Sequence, residues 1–371
     1  MHIVFICDPI DKQTAGIFQY TLQVARHIYK HNTKYRITFV TIHSKFIDGD
    51  IPAVTFPNFI RFLSNDPIRQ FITLPRYLNK LNPDVVVEPA HFGPFNLKKR
   101  IKRITIIHDL TPILFPHYHP FLSRFLQKLF LPGILKRADL IITNSRHTTR
   151  DVNRYCENSK RKTKTILLGK ETFFKPSQNQ DVLQKYKIDA PYILNVGTLE
   201  PRKNLLTLLE AYAIYRKSKS SNNKLVIIGG GGWMNEKFDK AIANHANKRD
   251  IICTGFVERE EMPALYSQSR AFVYPSLYEG FGLPLLEAMS CGAACIAANN
   301  SSLPEVGGRG ALYFNSLNAN DLAERMSLIN NDESKREELI QLGIIQAAKF
   351  SWDRYAEDFL LAIEKLEGVN P

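Results

Sequence analysis

The 371 residues contain no apolar run approaching the roughly 18–20 residues that a membrane-spanning helix needs. The first residues, MHIVFICDPI, carry no basic leader, and their apolar stretch is too short for a secretory signal. The five cysteines include no CxxC pair and no His/Cys cluster, and Cys291 and Cys295 have no histidines nearby. That excludes a disulfide framework and a zinc site, and it suits reduced thiols in the cytoplasm. No GxGxxG is present, which speaks against a dinucleotide enzyme. The run Gly229–Gly232 lacks the Lys-Ser/Thr of a P-loop and reads as a flexible loop.

What remains is a globular chain. Its 44% hydrophobic content supports a sizeable core, and its length suggests two domains. The net charge of +13 is unevenly placed. Residues 1–175 hold 28 Lys and Arg against 12 Asp and Glu, a net of +16, and the remainder holds 21 against 24, a net of −3. Such asymmetry suits a first half that meets an anionic partner. Nucleic acid is excluded, because no recognition motif and no interleaved aromatic-basic surface is present. An anionic membrane face remains as a partner of this basic half, so the expected location is cytoplasmic, at most peripheral at the inner face of the cell membrane.

Short apolar runs alternate with helix-like stretches. Residues 2–7, 35–40, 84–89, 103–108 and 139–144 read as buried strands, and 15–30, 66–81, 120–137 and 145–156 as helices. The polar stretch 168–190, with prolines at both ends, reads as a connection. Alternation then restarts. Strands are predicted at 192–197, 224–229, 250–255, 271–275 and 293–298, helices at 203–218, 258–268, 282–290 and 318–349, and a final amphipathic helix at 351–368. The pattern is α/β: two doubly wound halves with mostly parallel sheets. Ligands of such sheets sit at the carboxyl ends of strands, and with two facing halves the natural site is a cleft between them.

Three segments at predicted strand ends carry the chemistry. NVGTLEPRKN (195–204) is a strand, a turn at Gly197 and Thr198, then Arg202 and Lys203 opening a helix. Free N–H groups and two cations there suit a phosphate. YEGFGLPLLEAMSCG (278–292) holds Glu279 before Gly280, Phe281 and Gly282, then Leu283 and Pro284, then Glu287 a little over two turns after Glu279. Glycines allow close backbone approach to a ligand, and carboxylates accept hydrogen bonds from sugar hydroxyls. The neighbouring Leu283, Leu285 and Leu286 make a solvated helix face a poor description. IIHDLTP (106–112) ends a strand at His108, with Asp109 orienting it or starting the turn. Gly16 follows the first strand and opens a helix, where a diphosphate could approach. DGD (48–50) resembles a metal-binding DxD but reads as a polar turn.

Together EPRKN (200–204), the Glu279/Glu287 pair, SSLPEV (301–306) and IIHDLTP resemble the retaining glycosyltransferases of family 4, over nearly the whole chain. The resemblance implies a GT-B fold, two facing Rossmann-like domains with a cleft between them. The acceptor domain would be 1–175 plus a crossing helix at 351–371 that carries Trp352, and the nucleotide-sugar domain 188–350. It implies catalytic roles for His108, Arg202, Lys203 and Glu279. It implies substrate contacts from Gly16, Gly197, Thr198, Val257, Phe281, Gly282, Leu283 and Glu287. Arg202 and Lys203 would grip the donor diphosphate, and Glu287 the ribose. Glu279 with the backbone of Phe281 and Gly282 would meet the transferred sugar. His108 would reach that sugar from the opposite domain. Gly16 would lie against the diphosphate, and the loop at Phe256 and Val257 by the base.

The cations would stabilise the leaving diphosphate, so neither a divalent metal nor another cofactor is expected. Retention is implied, without Glu279 as a covalent nucleophile. HDLTP with SSLPEV is similar to a branch associated with mannosyl transfer from GDP-mannose. That favours mannose moved to a saccharide or lipid-linked saccharide, in cell-surface polysaccharide or glycolipid synthesis. A UDP-sugar donor and a catalytically inactive, donor-binding partner subunit are the alternatives, and no oligomeric state is implied.

The stretch HPFLSRFLQKLFLPGILKR (119–137) repeats Phe and Leu on one helical stripe, with Arg124, Lys128, Lys136 and Arg137 between. Such a stripe more often packs on a sheet, as core, than lies in a membrane interface.

Overall fold

The computed structural model describes all residues except 13–14, 58–67, 91, 120, 218–221, 231–235 and 368–371. It divides into two compact units, Met1–Gly169 with Ser351–Pro371, and Lys170–Phe350.

In the first unit eight strands form one sheet: β1 (His2–Ile6), β2 (Arg36–Thr41), β3 (Phe46–Ile47), β4 (Ile51–Thr55), β5 (Val85–Glu88), β6 (Lys102–Ile107), β7 (Leu140–Thr143) and β8 (Thr163–Thr165). Their order is β3-β4-β2-β1-β5-β6-β7-β8, parallel throughout except the β3–β4 pair. The β5 and β7 side chains are buried along their whole length, as expected for strands covered on both faces. The sequence reading lacked β3, β4 and β8. They lie toward the two edges of the sheet, where a polar TKT or a proline-containing IPAVT needs no continuous apolar run. At the carboxyl end of β1, Asp8 accepts two hydrogen bonds, of 2.8 and 2.6 Å, from the fully buried Arg69 guanidinium. The helix Trp352–Glu367 belongs to this unit and lies along the helix Ala15–His31. The Tyr20 and Tyr355 hydroxyls bond to each other, and Trp352 meets Tyr20 at 6.2 Å between ring centroids.

The second unit carries six parallel strands: β9 (Tyr192–Val196), β10 (Lys224–Ile228), β11 (Ile251–Gly255), β12 (Ala271–Tyr274), β13 (Cys295–Ala298) and β14 (Ala311–Phe314). Their order, β11-β10-β9-β12-β13-β14, reverses direction between β9 and β12. That reversal is the switch point at which doubly wound sheets open a crevice for ligands. The loops after β9 and β12 are the two that hold EPRKN and YEGFG.

Two boundaries differ from expectation for local reasons. The stretch 318–349 is two helices, Ala319–Asn331 and Glu333–Ala347, because the Asp332 side chain accepts the Lys335 amide at 2.8 Å and starts a new helix. The stretch 168–190 is no loose connection. Phe174 is buried, Glu171 pairs with Arg259, and Gln180–Lys185 is helical.

Candidate active site

After β9 the chain turns at Gly197 and enters a single 3-10 turn, Pro201–Lys203. It leaves through Asn204, whose φ of +58° is left-handed. This explains why the following helix starts at Leu205 rather than at 203. The Asn204 amide donates to the carbonyls of Pro275 (3.1 Å) and Ser316 (2.7 Å), and the Leu277 amide donates to the Arg202 carbonyl (2.9 Å). The two loops of the switch point are therefore stitched together by the Asn204 side chain and one backbone bond.

SSLPEV clamps the second loop. The Ser301 hydroxyl accepts the Glu279 amide at 2.9 Å. The buried Ser302 hydroxyl donates toward the carbonyls of Glu279 (2.9 Å) and Phe281 (2.7 Å). Gly282 follows with φ +111° and caps the helix Leu283–Ser290, and a Cβ there would come within 2.9 Å of Leu303. Pro284, in the first turn, fits the fixed φ of proline.

Held between these loops, Glu279 accepts Lys203 Nζ at 2.6 Å through one oxygen and Arg202 Nη1 at 2.9 Å through the other. Arg202 also donates to the Tyr278 carbonyl at 2.7 Å and pairs with Glu200. Lys203 Nζ lies 3.0 Å from the Tyr274 hydroxyl, and its stem crosses Gly197, where a Cβ would meet Lys203 Cε at 3.4 Å. Burial pushes the Glu279 carboxyl up, but Arg202 and Lys203 outweigh it and hold the group down at about 2. Burial lowers Lys203, and Glu279 opposes that shift. The four charges Glu200, Arg202, Lys203 and Glu279 are buried or nearly so and sum to zero.

Glu287 belongs to a second cluster. It is half-buried on the helix Leu283–Ser290 and accepts the Tyr266 hydroxyl at 3.0 Å. Burial raises its carboxyl to about 7, against the pull of Arg259 and the Tyr266 bond. Leu283 opens the same helix, Thr198 is half-buried beyond β9, and Val257 is buried behind an exposed Phe256 after β11. Gly229 is more than a flexible loop residue, although Gly231 and Gly232 lie outside the described residues. Its φ is +147°, and a Cβ would fall 1.9 Å from the Gly197 carbonyl oxygen. Gly229→Ala is expected to cost at least about 1–3 kcal/mol of stability through this overlap, read as a lowered thermal midpoint.

In the first unit His108 follows β6. Its Nε2 lies 2.8 Å from the Pro89 carbonyl, so it carries the proton there, and its ring meets Tyr20 edge-on at 4.6 Å. Asp109 is bonded within its own turn. It accepts the Thr111 amide (2.9 Å) and hydroxyl (2.7 Å) and so starts the short helix Thr111–Leu114. Gly16 is exposed, with no atom within 4 Å of an added Cβ. DGD is a turn in which Asp48 pairs with Arg26. Sequence reasoning passed over Glu200, Tyr274, Asn204 and Ser302 as parts of this arrangement. Glu200 and Ser302 stood inside the quoted motifs, but no spacing rule ties Tyr274 to Lys203.

Known proteins match this chain in sequence and in architecture. Residues 159–345 match the model of glycosyl transferases group 1, and residues 14–169 that of glycosyltransferase family 4. The chain is 31% identical to O-antigen chain mannosyltransferase B of Escherichia coli, over 95% of this chain and 97% of that protein. It is also 31% identical to the serotype-specific mannosyltransferase WbdA of Escherichia coli, over 71% of this chain but 33% of the relative. Sucrose-phosphate synthase from Thermosynechococcus elongatus superposes with a TM-score of 0.82 at 18% identity, each chain covered fully. Anabaena Alr3699/HepE, solved with UDP-glucose, superposes at 0.77 with 17% identity, again over the full length of both. Two Rossmann-like units with a charged switch point, matched by both family models, define the class. The chain belongs to the family 4, group 1 glycosyltransferases and has their GT-B fold.

Proposed function

We propose that the protein moves a hexose, mannose in first place, from a nucleoside-diphosphate sugar, GDP-mannose in first place, to a saccharide or lipid-linked saccharide acceptor in cell-surface polysaccharide synthesis. The observation that carries this reading is the pair of cations, the largely buried Arg202 and the buried Lys203, held on Glu279 at the switch point of the second sheet. The names of the two mannosyltransferase relatives favour the sugar.

The anomeric C–O bond breaks with its electron pair passing to the diphosphate oxygen. The acceptor hydroxyl oxygen bonds to the anomeric carbon on the face just vacated, and its proton passes to the departing phosphate oxygen. Arg202, Lys203 and the amino end of the helix Leu283–Ser290 stabilise the charge that develops, so the reaction needs no divalent metal. Glu279 keeps both cations charged and aligned. Its low carboxyl argues for a counter-ion and sugar-hydroxyl acceptor rather than a proton donor. Glu287 takes the ribose hydroxyls, and the Val257 loop the base. Incubation with GDP-mannose and with UDP-sugars, followed by NMR of the anomeric centre of the product, tests the reading. An inverted product contradicts retention, and turnover of UDP-sugars alone moves the donor to the alternative.

Two smaller predictions follow from this reading. A group whose carboxyl is raised from 4.5 to about 7 favours the fold fully below 4.5 and loses that contribution as pH rises through 7. Glu287→Gln is therefore expected to raise the thermal midpoint at pH 8 but not at pH 4.5, while weakening nucleoside-diphosphate binding at pH 8. Calorimetry and thermal melts at both pH values check the pair of opposite effects. His108→Ala is expected to lower kcat, by about 10²-fold if His108 acts on the transferred sugar, and to leave nucleotide affinity unchanged. Single-turnover rates and titration with GDP separate the two.

A further inference from the structure

The first sheet has a reversal point of its own. Its strand order turns between β1 and β5, the kind of place where doubly wound sheets open a crevice for ligands. Asp8 follows β1 there and is bound to Arg69, and Glu88 ends β5. Glu88 is 3% exposed. Its Oε1 accepts the amides of Ala90 at 3.0 Å and Phe92 at 2.9 Å. Its Oε2 is buried with no hydrogen-bond partner among the described residues. Arg103 of β6 lies on the same face of the adjacent strand, since Val86 pairs with Arg103 and side chains alternate. Burial pushes the Glu88 carboxyl up to about 8, against the pull of Arg103 and the two amides, and Asp8 adds to the rise. A buried carboxyl is costly to place. What this one holds is the turn that follows it.

One peptide bond joins that carboxyl to His108. The Ala90 amide on Glu88 and the Pro89 carbonyl 2.8 Å from His108 Nε2 are the two ends of the same peptide. A peptide is planar, so fixing its N–H end fixes the direction of its C=O end. Hydrogen bonds at its two ends also polarise one another and strengthen together. The Phe92 bond closes the far side of the turn, and Pro89 itself is buried. A carbonyl can only accept, so the neutral His108 ring carries its proton on Nε2 and its lone pair on Nδ1. Tyr20 meets the ring edge-on at 4.6 Å, which restrains its tilt but does not choose its tautomer.

We propose that Glu88 is a positioning residue for His108. Through the Pro89–Ala90 peptide it aims the carbonyl that holds the ring, and so fixes both the ring's orientation and its Nε2-protonated tautomer. Glu88 touches neither the ring nor any ligand. Its part is to keep His108 in one protonation pattern while the rest of the site works. A glutamate that capped only its own turn would leave the ring unchanged when replaced. The kinetic consequence of this inference rests on the transferase reading, and the ring's tautomer does not.

The test reads the ring directly. Long-range proton–nitrogen correlation spectra of the full chain with isotope-labelled histidine report the tautomer, and His108→Ala identifies the signals. Wild type is expected to show the neutral ring protonated on Nε2. Glu88→Gln keeps an oxygen for both amides and is expected to keep that pattern and most of the transfer. Glu88→Ala removes the acceptor. It is expected to give a mixture of the two tautomers and to lower transfer about tenfold, the worth of one hydrogen bond, with affinity for GDP unchanged. Thermal melts report the folding of each variant. A wild-type ring protonated on Nδ1 overturns the proposal, and that measurement needs no variant. So does a folded Glu88→Ala protein whose His108 keeps the wild-type tautomer, or a Glu88→Gln protein that loses it. Wild type that turns over no nucleotide-sugar while its ring behaves as described contradicts the transferase reading and supports the role of Glu88.

Discussion

Lys203→Met is expected to lower transfer by about 10²–10³-fold, the cost of removing one preorganised charge that stabilises a developing anion. Methionine keeps most of the stem that crosses Gly197 and removes only the ammonium, so the loss reads charge rather than shape. The same substitution leaves Glu279 with one cation instead of two. Arg202 and Lys203 together hold its carboxyl at about 2 against burial, so losing one of them lets it rise. A carboxylate lowered in the fold stabilises fully above its unfolded value near 4.5, and that stability is lost as pH falls toward 2. Lys203→Met should therefore unfold at a higher pH on acid titration than wild type. Steady-state rates and an acid melt followed by circular dichroism check both halves. A variant with full activity would place the diphosphate elsewhere.

Removing Glu279 is expected to do more damage still, and of two kinds. Glu279→Ala leaves Arg202 and Lys203 buried with half their compensation, and breaking a buried pair in this way costs about 3–5 kcal/mol. Lys203, already lowered by burial, loses the partner that opposes that shift and tends toward the neutral amine. Transfer and diphosphate affinity should then fall together. Glu279→Gln keeps the shape and one acceptor oxygen. It is expected to retain more stability than Glu279→Ala, yet still to lose about 10²-fold or more in transfer. The sequence alone suggested a simpler division, with Glu279 acting on the sugar and Glu287 on the nucleotide. The ion pairs at 2.6 and 2.9 Å tie Glu279 to Arg202 and Lys203 as well.

Much of the fold was legible because its strands are buried on both faces. β5, β7, β12 and β13 read as short, mainly apolar runs, and Pro89 after β5 and Pro275 after β12 marked their ends. What escaped were elements whose identity lies in their neighbours: the polar edge strand β8, the short edge strand β14 of the second sheet, the antiparallel β3–β4 pair, and the helix restart at Asp332. The site divides the same way. Arg202, Lys203 and Glu279 stood out as charged residues beside glycine turns. Their convergence on one carboxylate, with Glu200 on Arg202 and Tyr274 on Lys203, depends on the β9–β12 crossover, which no local spacing encodes. The Phe/Leu stripe at 121–130 misled because periodicity shows that a helix has an apolar side but not whether anything covers it. Here Leu131 and Leu135 reach the sheet, while Phe121 and Phe125 do not.

The central claim is that the second sheet's switch point grips a nucleoside diphosphate through Arg202 and Lys203 without a metal. Calorimetric titration with GDP, UDP and ADP, each with and without EDTA, on wild type and on Arg202→Ala and Lys203→Met, tests it most directly. The account predicts saturable binding of one nucleotide, GDP first among them, unchanged by EDTA and weakened about tenfold or more in both variants. Binding that EDTA abolishes, or that both variants leave intact, would contradict it.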